Sequence, residues 1–229
     1  MFLDPLYLLF ALPALLLSMI ASFLVKSTFA KYSRVSSSTG YTGAQAAEAM
    51  LRANGVFNVT IERTRGYLSD HYDPTCRTLR LSDEVYSSNS LSAVGVACHE
   101  AGHALQHADN YIWLGLRSAL VPIANFGSTF SYIVIVLGML FNAPFLLNLG
   151  CILFGGAVLF TIVTLPVEWD ASARAKVAMV NAGLLQPYER DRAGSVLNAA
   201  FLTYVAAAVS SIMTLLYYIL RAKAAGNRR

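Results

Sequence analysis

The chain has 229 residues, of which 56% are hydrophobic and 13% charged, about half the ~25% charge of an ordinary soluble domain. One integrated domain is the default at this length, and the missing charge is gathered in long apolar runs, so the composition argues against a soluble globular enzyme and for the bilayer. The net charge of +4 gives no sign of a nucleic-acid partner: Lys and Arg are scattered singly, with no basic run interleaved with aromatics, and basic loops facing anionic lipid account for it.

The first apolar run, Leu6 to Val25, is about the twenty residues that cross a bilayer. A cleaved leader wants a basic start and a shorter apolar core. Here the start is Met1-Phe2-Leu3-Asp4, so an uncleaved anchor is expected. Residues 26–117 form the longest polar stretch. Within it, Ala44 to Asn54 reads as a helix begun at Thr42 or Gly43 and closed by Gly55. Val56 to Thr64 and Arg77 to Leu81 alternate as strands, which are expected to pair as a small antiparallel sheet. Ser69 to Pro74 between them is turn chemistry. Ser90 to His107 reads as a helix, capped by Asn89 or Ser90 and apolar on most sides, and therefore buried.

Two further spans follow, Leu120 to Phe141 and Phe145 to Pro166, joined by Asn142-Ala143-Pro144 as a tight hairpin. A polar segment from Val167 to Asp191 separates them from the last apolar run, Val196 to Leu220. Lys26, Lys31, Arg34, Arg117, Arg174, Lys176, Arg190 and Arg192 fall on one side if all four runs cross, which the positive-inside rule makes cytoplasmic. The basic tail (Arg221, Lys223, Arg228, Arg229) then lies opposite, so either the tail is an exception or the last run does not cross fully. Cys76, Cys98 and Cys151 are odd in number and form no CxxC, which argues against a disulfide framework. Cys98 reads as a small packing residue beside His99.

His99-Glu100-Ala101-Gly102-His103 is an HExxH pattern. Two imidazoles four residues apart on a helix point at one ion, and the intervening carboxylate lies near the same face, where it can take a proton from a metal-activated water. A catalytic zinc wants a third protein ligand and an open position. His107 continues the row, but three histidines strung over about 12 Å of helix cannot converge on ligand bonds of about 2.1 Å. His71 and Glu168 are the candidates, with Asp170 in reserve. Topology favours Glu168, because a hairpin returns the chain to the side it left. The bland account of each residue is a satisfied core histidine, or an interfacial carboxylate paired with Arg174 or Lys176. Two His and a Glu in a charge-poor helix beside membrane spans are costly without a shared partner.

Ser69 to Pro74 with the preceding Leu68, Leu79 to Tyr86, His99 to His107, Leu165 to Ser172, Val196 to Ala200 and Thr203-Tyr204-Val205 together resemble the bacterial membrane-bound neutral zinc metallopeptidases of the YugP-like type, in order along nearly the whole chain. The arrangement is also similar to that of the integral-membrane gluzincins of the heat-shock and CAAX-protease type. There an HExxH helix is followed by a membrane hairpin and an E-x-x-x-D motif. The resemblance implies His99, His103 and Glu168 as metal ligands and Glu100 as general base. It departs at Ser172, which stands where the Asp of that motif would be, so Asp170 or another group would have to orient a histidine. Oxyanion support of the zincin kind has His71, Tyr72 and Tyr204 as candidates. By analogy, the strand at Arg77 to Leu81 would dock an extended substrate along its edge.

The expected protein is a mainly α, polytopic membrane protein of about four spans with a small α+β zincin-like domain. Its parts are an anchor (1–25), a catalytic region (26–117), a hairpin (118–166), a segment with the third ligand (167–195), a last span (196–220) and a basic tail (221–229). It is expected to hold Zn2+ and cut membrane-associated or unfolded proteins from the bacterial inner membrane, its site facing the cytoplasm. Its partners would be protein or peptide substrates, the lipid bilayer, and a membrane protein or a second copy. The alternative is a non-catalytic membrane scaffold with a structural zinc. A transporter would scatter ionisable groups through several spans, and these runs carry few.

Overall fold

A computed structural model describes residues 4–66 and 69–227; Met1 to Leu3, Tyr67, Leu68, Arg228 and Arg229 lie outside the described residues. In chain order its elements are α1 (Pro5–Tyr32), α2 (Gly43–Ala53), β1 (Thr60–Thr64), β2 (His71–Asp73), β3 (Thr78–Ser82), α3 (Asp83–Ser87), α4 (Leu91–Ala108), α5 (Ile112–Leu140), α6 (Pro144–Asn181) and α7 (Pro187–Gly226). The protein is mainly helical, and α1, α5, α6 and α7 are each long and apolar enough to cross a membrane. It divides into two compact units, one of Met1–Ala21, Leu116–Leu165 and Thr203–Arg229, the other of Ser22–Gly115 and Pro166–Leu202.

The first unit holds the apolar stretches of the four long helices, with Leu9, Leu16, Phe126, Ile133 and Ile152 exposed on its outer faces. Small residues let α5 and α6 approach closely, as is usual where lipid removes the hydrophobic drive between helices. A Cβ on Gly127 would stand 2.5 Å from the Leu153 carbonyl oxygen. The hairpin turns on Asn142 at φ 52, in the left-handed region that Asn tolerates, and the Ala143 N–H closes it onto the Gly138 carbonyl at 2.9 Å. Thr161 and Ser211 hydroxyls meet at 2.9 Å, tying α6 to α7. Asp4 accepts from the Tyr217 hydroxyl at 3.2 Å and lies 3.6 Å from the Arg221 guanidinium. The first cation of the basic C-terminal segment therefore has a counter-charge.

In the second unit, α2 starts on a capping box: the Gln45 N–H donates to the Thr42 hydroxyl, and the Thr42 N–H to the Gln45 side chain. Its end explains why the first strand is shorter than expected. Gly55, at φ 75, lets the Val56 N–H return to the Leu51 carbonyl at 2.9 Å, so Val56 closes the helix instead of entering the sheet.

The sheet order is β1-β3-β2, with β1 parallel to β3 and β2 antiparallel to it. The antiparallel pairing expected of the two alternating runs does not form, because β2, which the sequence had suggested was turn, takes the hairpin place beside β3. The turn falls later, over Pro74 to Arg77: Asp73 accepts from the Thr75 N–H at 2.9 Å, and Arg77 adopts φ 51. Hydrogen bonds from the Thr75 hydroxyl and Cys76 hold the Asp73 carboxyl well below the usual carboxylate range. Leu79 and Leu81 are fully buried, as suits a central strand.

The Ser90 hydroxyl caps α4, accepting from the Ala93 N–H at 3.2 Å. The stretch after Pro166, expected as a polar segment, instead continues α6 to Asn181. Its Val167, Ala171, Ala175 and Met179 are all buried, one stripe at helical spacing. Backbone meets backbone there: a Cβ on Gly102 of α4 would stand 2.6 Å from the Ala171 carbonyl oxygen. Gly102→Ala should therefore lower stability by about 1–3 kcal/mol, read as a fall in the thermal midpoint of the detergent-solubilised protein. Gly155→Ala, with nothing within 4 Å of its added Cβ, should not.

Candidate metal centre

α4 is buried around most of its circumference, and its exposure rises only at Val96, His99, Glu100 and the last turn. His99 and His103 sit one turn apart, with ring centroids 4.9 Å apart and planes at 80°. The close approach at Gly102 sets the facing turn of α6 against this pair and brings Glu168 to it. Glu168 Oε2 lies 3.2 Å from His99 Nε2 and 3.7 Å from His103 Nε2. The three ligand-type atoms are all within 4.8 Å of one another. Glu168 is 1% exposed, a burial that an ionised carboxylate tolerates only with close hydrogen-bonding or charged partners.

Each imidazole is held from behind. His99 Nδ1 is 3.0 Å from the Ser172 hydroxyl, and His103 Nδ1 is 3.0 Å from Gln106 Oε1. Ser172 thus touches a histidine from the position where the related motif has Asp, and its hydroxyl suffices for a hydrogen bond. Asp170 does not join the cluster. It accepts from Gln106 Nε2 at 2.8 Å and from Arg174 Nε at 2.6 Å, so it reaches His103 only through Gln106. Sequence inspection passed over Gln106: an amide in a helix otherwise read as apolar, three residues after His103, was the available signal.

Glu100 Oε2 accepts the backbone N–H of Tyr72 at 3.1 Å, which ties the carboxylate to β2. His107 stays apart from the cluster, its Nδ1 2.8 Å from the Tyr72 hydroxyl, as the straight-helix argument requires. His71 is exposed on β2, with Nδ1 2.8 Å from the Ser69 carbonyl. Tyr204 is half-buried on the α7 stretch that belongs to the first unit. The edge-docking role expected for Arg77 to Leu81 is ruled out, because β3 is paired on both sides. Cys98 lies in the core cluster, where burial pushes its thiol up to about 12, as expected of a packing residue.

Comparison with known proteins gives the family. The family described as "Putative neutral zinc metallopeptidase" matches residues 7–223. The chain is 47% identical over 215 residues to the "Putative membrane protease YugP" of Bacillus subtilis (strain 168), covering 94% of this chain and 96% of that protein. No solved structure matches. With its four membrane-length helices and a family match over nearly its whole length, the chain belongs to the neutral zinc metallopeptidases as an integral membrane member.

Proposed function

We propose that this chain is a gluzincin-like zinc metalloendopeptidase that hydrolyses peptide bonds in membrane-associated or unfolded proteins. The observation that carries this is the convergence of His99, His103 and Glu168 within 4.8 Å, with Glu100 on the same helix. Two imidazole nitrogens and a carboxylate suit zinc. Tetrahedral bonds of about 2.1 Å separate ligand atoms by about 3.4 Å, a spacing bracketed by the 3.2 and 3.7 Å between the imidazoles and Glu168.

Zinc held there supplies Lewis acidity and a water of lowered pKa. His99 and His103 would bind through Nε2, since each Nδ1 has another partner, and Glu168 contributes the negative charge. Glu100 takes the proton of the attacking water on a carboxylate oxygen and passes it to the leaving nitrogen, its orientation aided by the Tyr72 N–H. We assign oxyanion support to His71. A structural zinc in a non-catalytic scaffold wants a fourth protein ligand, whereas the cluster among the described residues has three.

The setting we propose is the bacterial inner membrane with the site facing the cytoplasm. Lys26, Lys31, Arg34, Arg174, Lys176, Arg190 and Arg192 all lie in the unit that carries the cluster, as the positive-inside rule asks of a cytoplasmic region.

Purified protein should cleave casein-like or membrane-protein substrates, lose that activity to a chelator, and regain it with zinc. Glu100→Gln should lower kcat by about 10²–10⁴-fold with zinc retained, and Glu168→Ala should lose zinc by metal analysis. Full activity in both chelated protein and Glu100→Gln refutes the mechanism. His71→Ala should lower kcat by about 10-fold or more with KM little changed; unchanged kcat removes His71 from the role. For orientation, Cys76 is exposed. In a Cys151→Ser background, a membrane-impermeant maleimide should label Cys76 only after spheroplasts are lysed, and labelling of intact spheroplasts would place the site outside.

A further inference from the structure

Behind His103 lies a buried polar chain that the hydrolytic mechanism does not use. Gln106 is 0% exposed. Its Nε2 donates to the Val167 carbonyl and to Asp170 Oδ2, both at 2.8 Å. Asp170 is fixed in turn by Arg174, whose Nε donates at 2.6 Å to that same oxygen and whose other arm pairs with Asp109. A side-chain amide has an acceptor on one side and two donors on the other. A backbone carbonyl and a carboxylate paired with Arg174 accept only, so the NH2 side has to face them, and Oε1 is left facing His103 Nδ1 at 3.0 Å.

We infer that Gln106, anchored by Asp170 and Arg174, is the positioning residue that fixes His103 in the tautomer with the proton on Nδ1 and the lone pair on Nε2. The inference rests on the proposed metal centre and extends it to what prepares one of its ligands. A carbonyl-type oxygen facing Nδ1 admits only a donor there, so in the neutral ring the one proton sits on Nδ1 and Nε2 is the nitrogen left to bind an ion. His99 lacks such a guide: the Ser172 hydroxyl 3.0 Å from its Nδ1 can donate or accept, so it serves either tautomer. The two ligands thus differ, His103 being preset and His99 adaptable. Groups that orient a ligating imidazole typically alter metal affinity by about 10–100-fold when removed.

The test uses the full-length protein in detergent, labelled with 15N in its histidine rings, with His103→Ala to assign the signal. Metal-free wild type should show His103 with Nδ1 protonated. Gln106→Met, similar in size but without an amide, should give mixed tautomers and about 10–100-fold weaker zinc binding in chelator competition, at an unchanged helical content. The second variant, Asp170→Ala, removes the carboxylate that holds the amide by its NH2 side and should show part of the same loss of tautomer and zinc affinity.

A Gln106→Met protein that keeps the wild-type tautomer and zinc affinity overturns the inference. If that variant does not fold, Asp170→Ala decides, and a wild-type tautomer and zinc affinity in it overturn the inference equally. Wild type that shows the tautomer yet takes up no zinc refutes the metal centre while upholding the hold of Gln106 on the ring.

Discussion

Glu168 is a carboxylate with 1% of its surface exposed, and removing such a group from water costs several kcal/mol unless close partners replace the lost hydration. The partners within reach are His99 and His103, which are polar groups in the otherwise apolar middle of α4. Each of the three would be a liability alone; together they form one site. That mutual dependence fixes how α4 and α6 lie against each other in the second unit. Gly102 supplies the missing Cβ that lets the backbones approach, and the alanine stripe of α6 keeps the facing surface thin.

Around this contact the supporting groups form two ranks. Facing the space between the imidazoles are Nε2 of each ring and the Glu168 oxygen. Behind them are Ser172 and Gln106, and behind Gln106 the Asp170–Arg174–Asp109 chain. The chain runs from a buried imidazole to an exposed aspartate at the C-terminal cap of α4, so its outer charges meet water and, of the supporting groups, only neutral ones touch the rings. Arg174 also lies over the Tyr111 ring, with its guanidinium carbon 5.5 Å from the centroid. A planar cation held by two carboxylates and an aromatic face is restrained in position, which suits the outer end of a support.

The HExxH pentapeptide and the four apolar runs were legible in the sequence because each is a local signal, a spacing of four or a length near twenty. Glu168 was reachable by topology alone, since a hairpin must return. The sheet was misjudged for a non-local reason. Alternation identifies a strand but not its neighbour, and β3 is central only because β2, three residues long and rich in turn formers, pairs beside it. The continuation of α6 past Pro166 was hidden by composition: Glu168, Asp170 and Arg174 make the segment look like a loop, whereas on the helix they flank the buried stripe of Val167, Ala171 and Ala175, Glu168 on one side and Asp170 with Arg174 on the other. Gln106 carried only the signal of a lone amide in an apolar helix, whose role has no pattern until its partners on another helix are known.

The brevity of β2 has a further bearing on how the protein behaves outside its membrane. Exposed sheet margins recruit further chains through unused peptide groups. In β2 the residue whose peptide groups turn away from β3 is Tyr72, and its N–H already belongs to Glu100. The strand is bounded by Asp70 and Pro74, a charge and a residue with no N–H to offer. That margin of the sheet is therefore a poor template for copies of the chain, which leaves self-association of the extracted protein to the opposite margin, β1, or to its greasy helices.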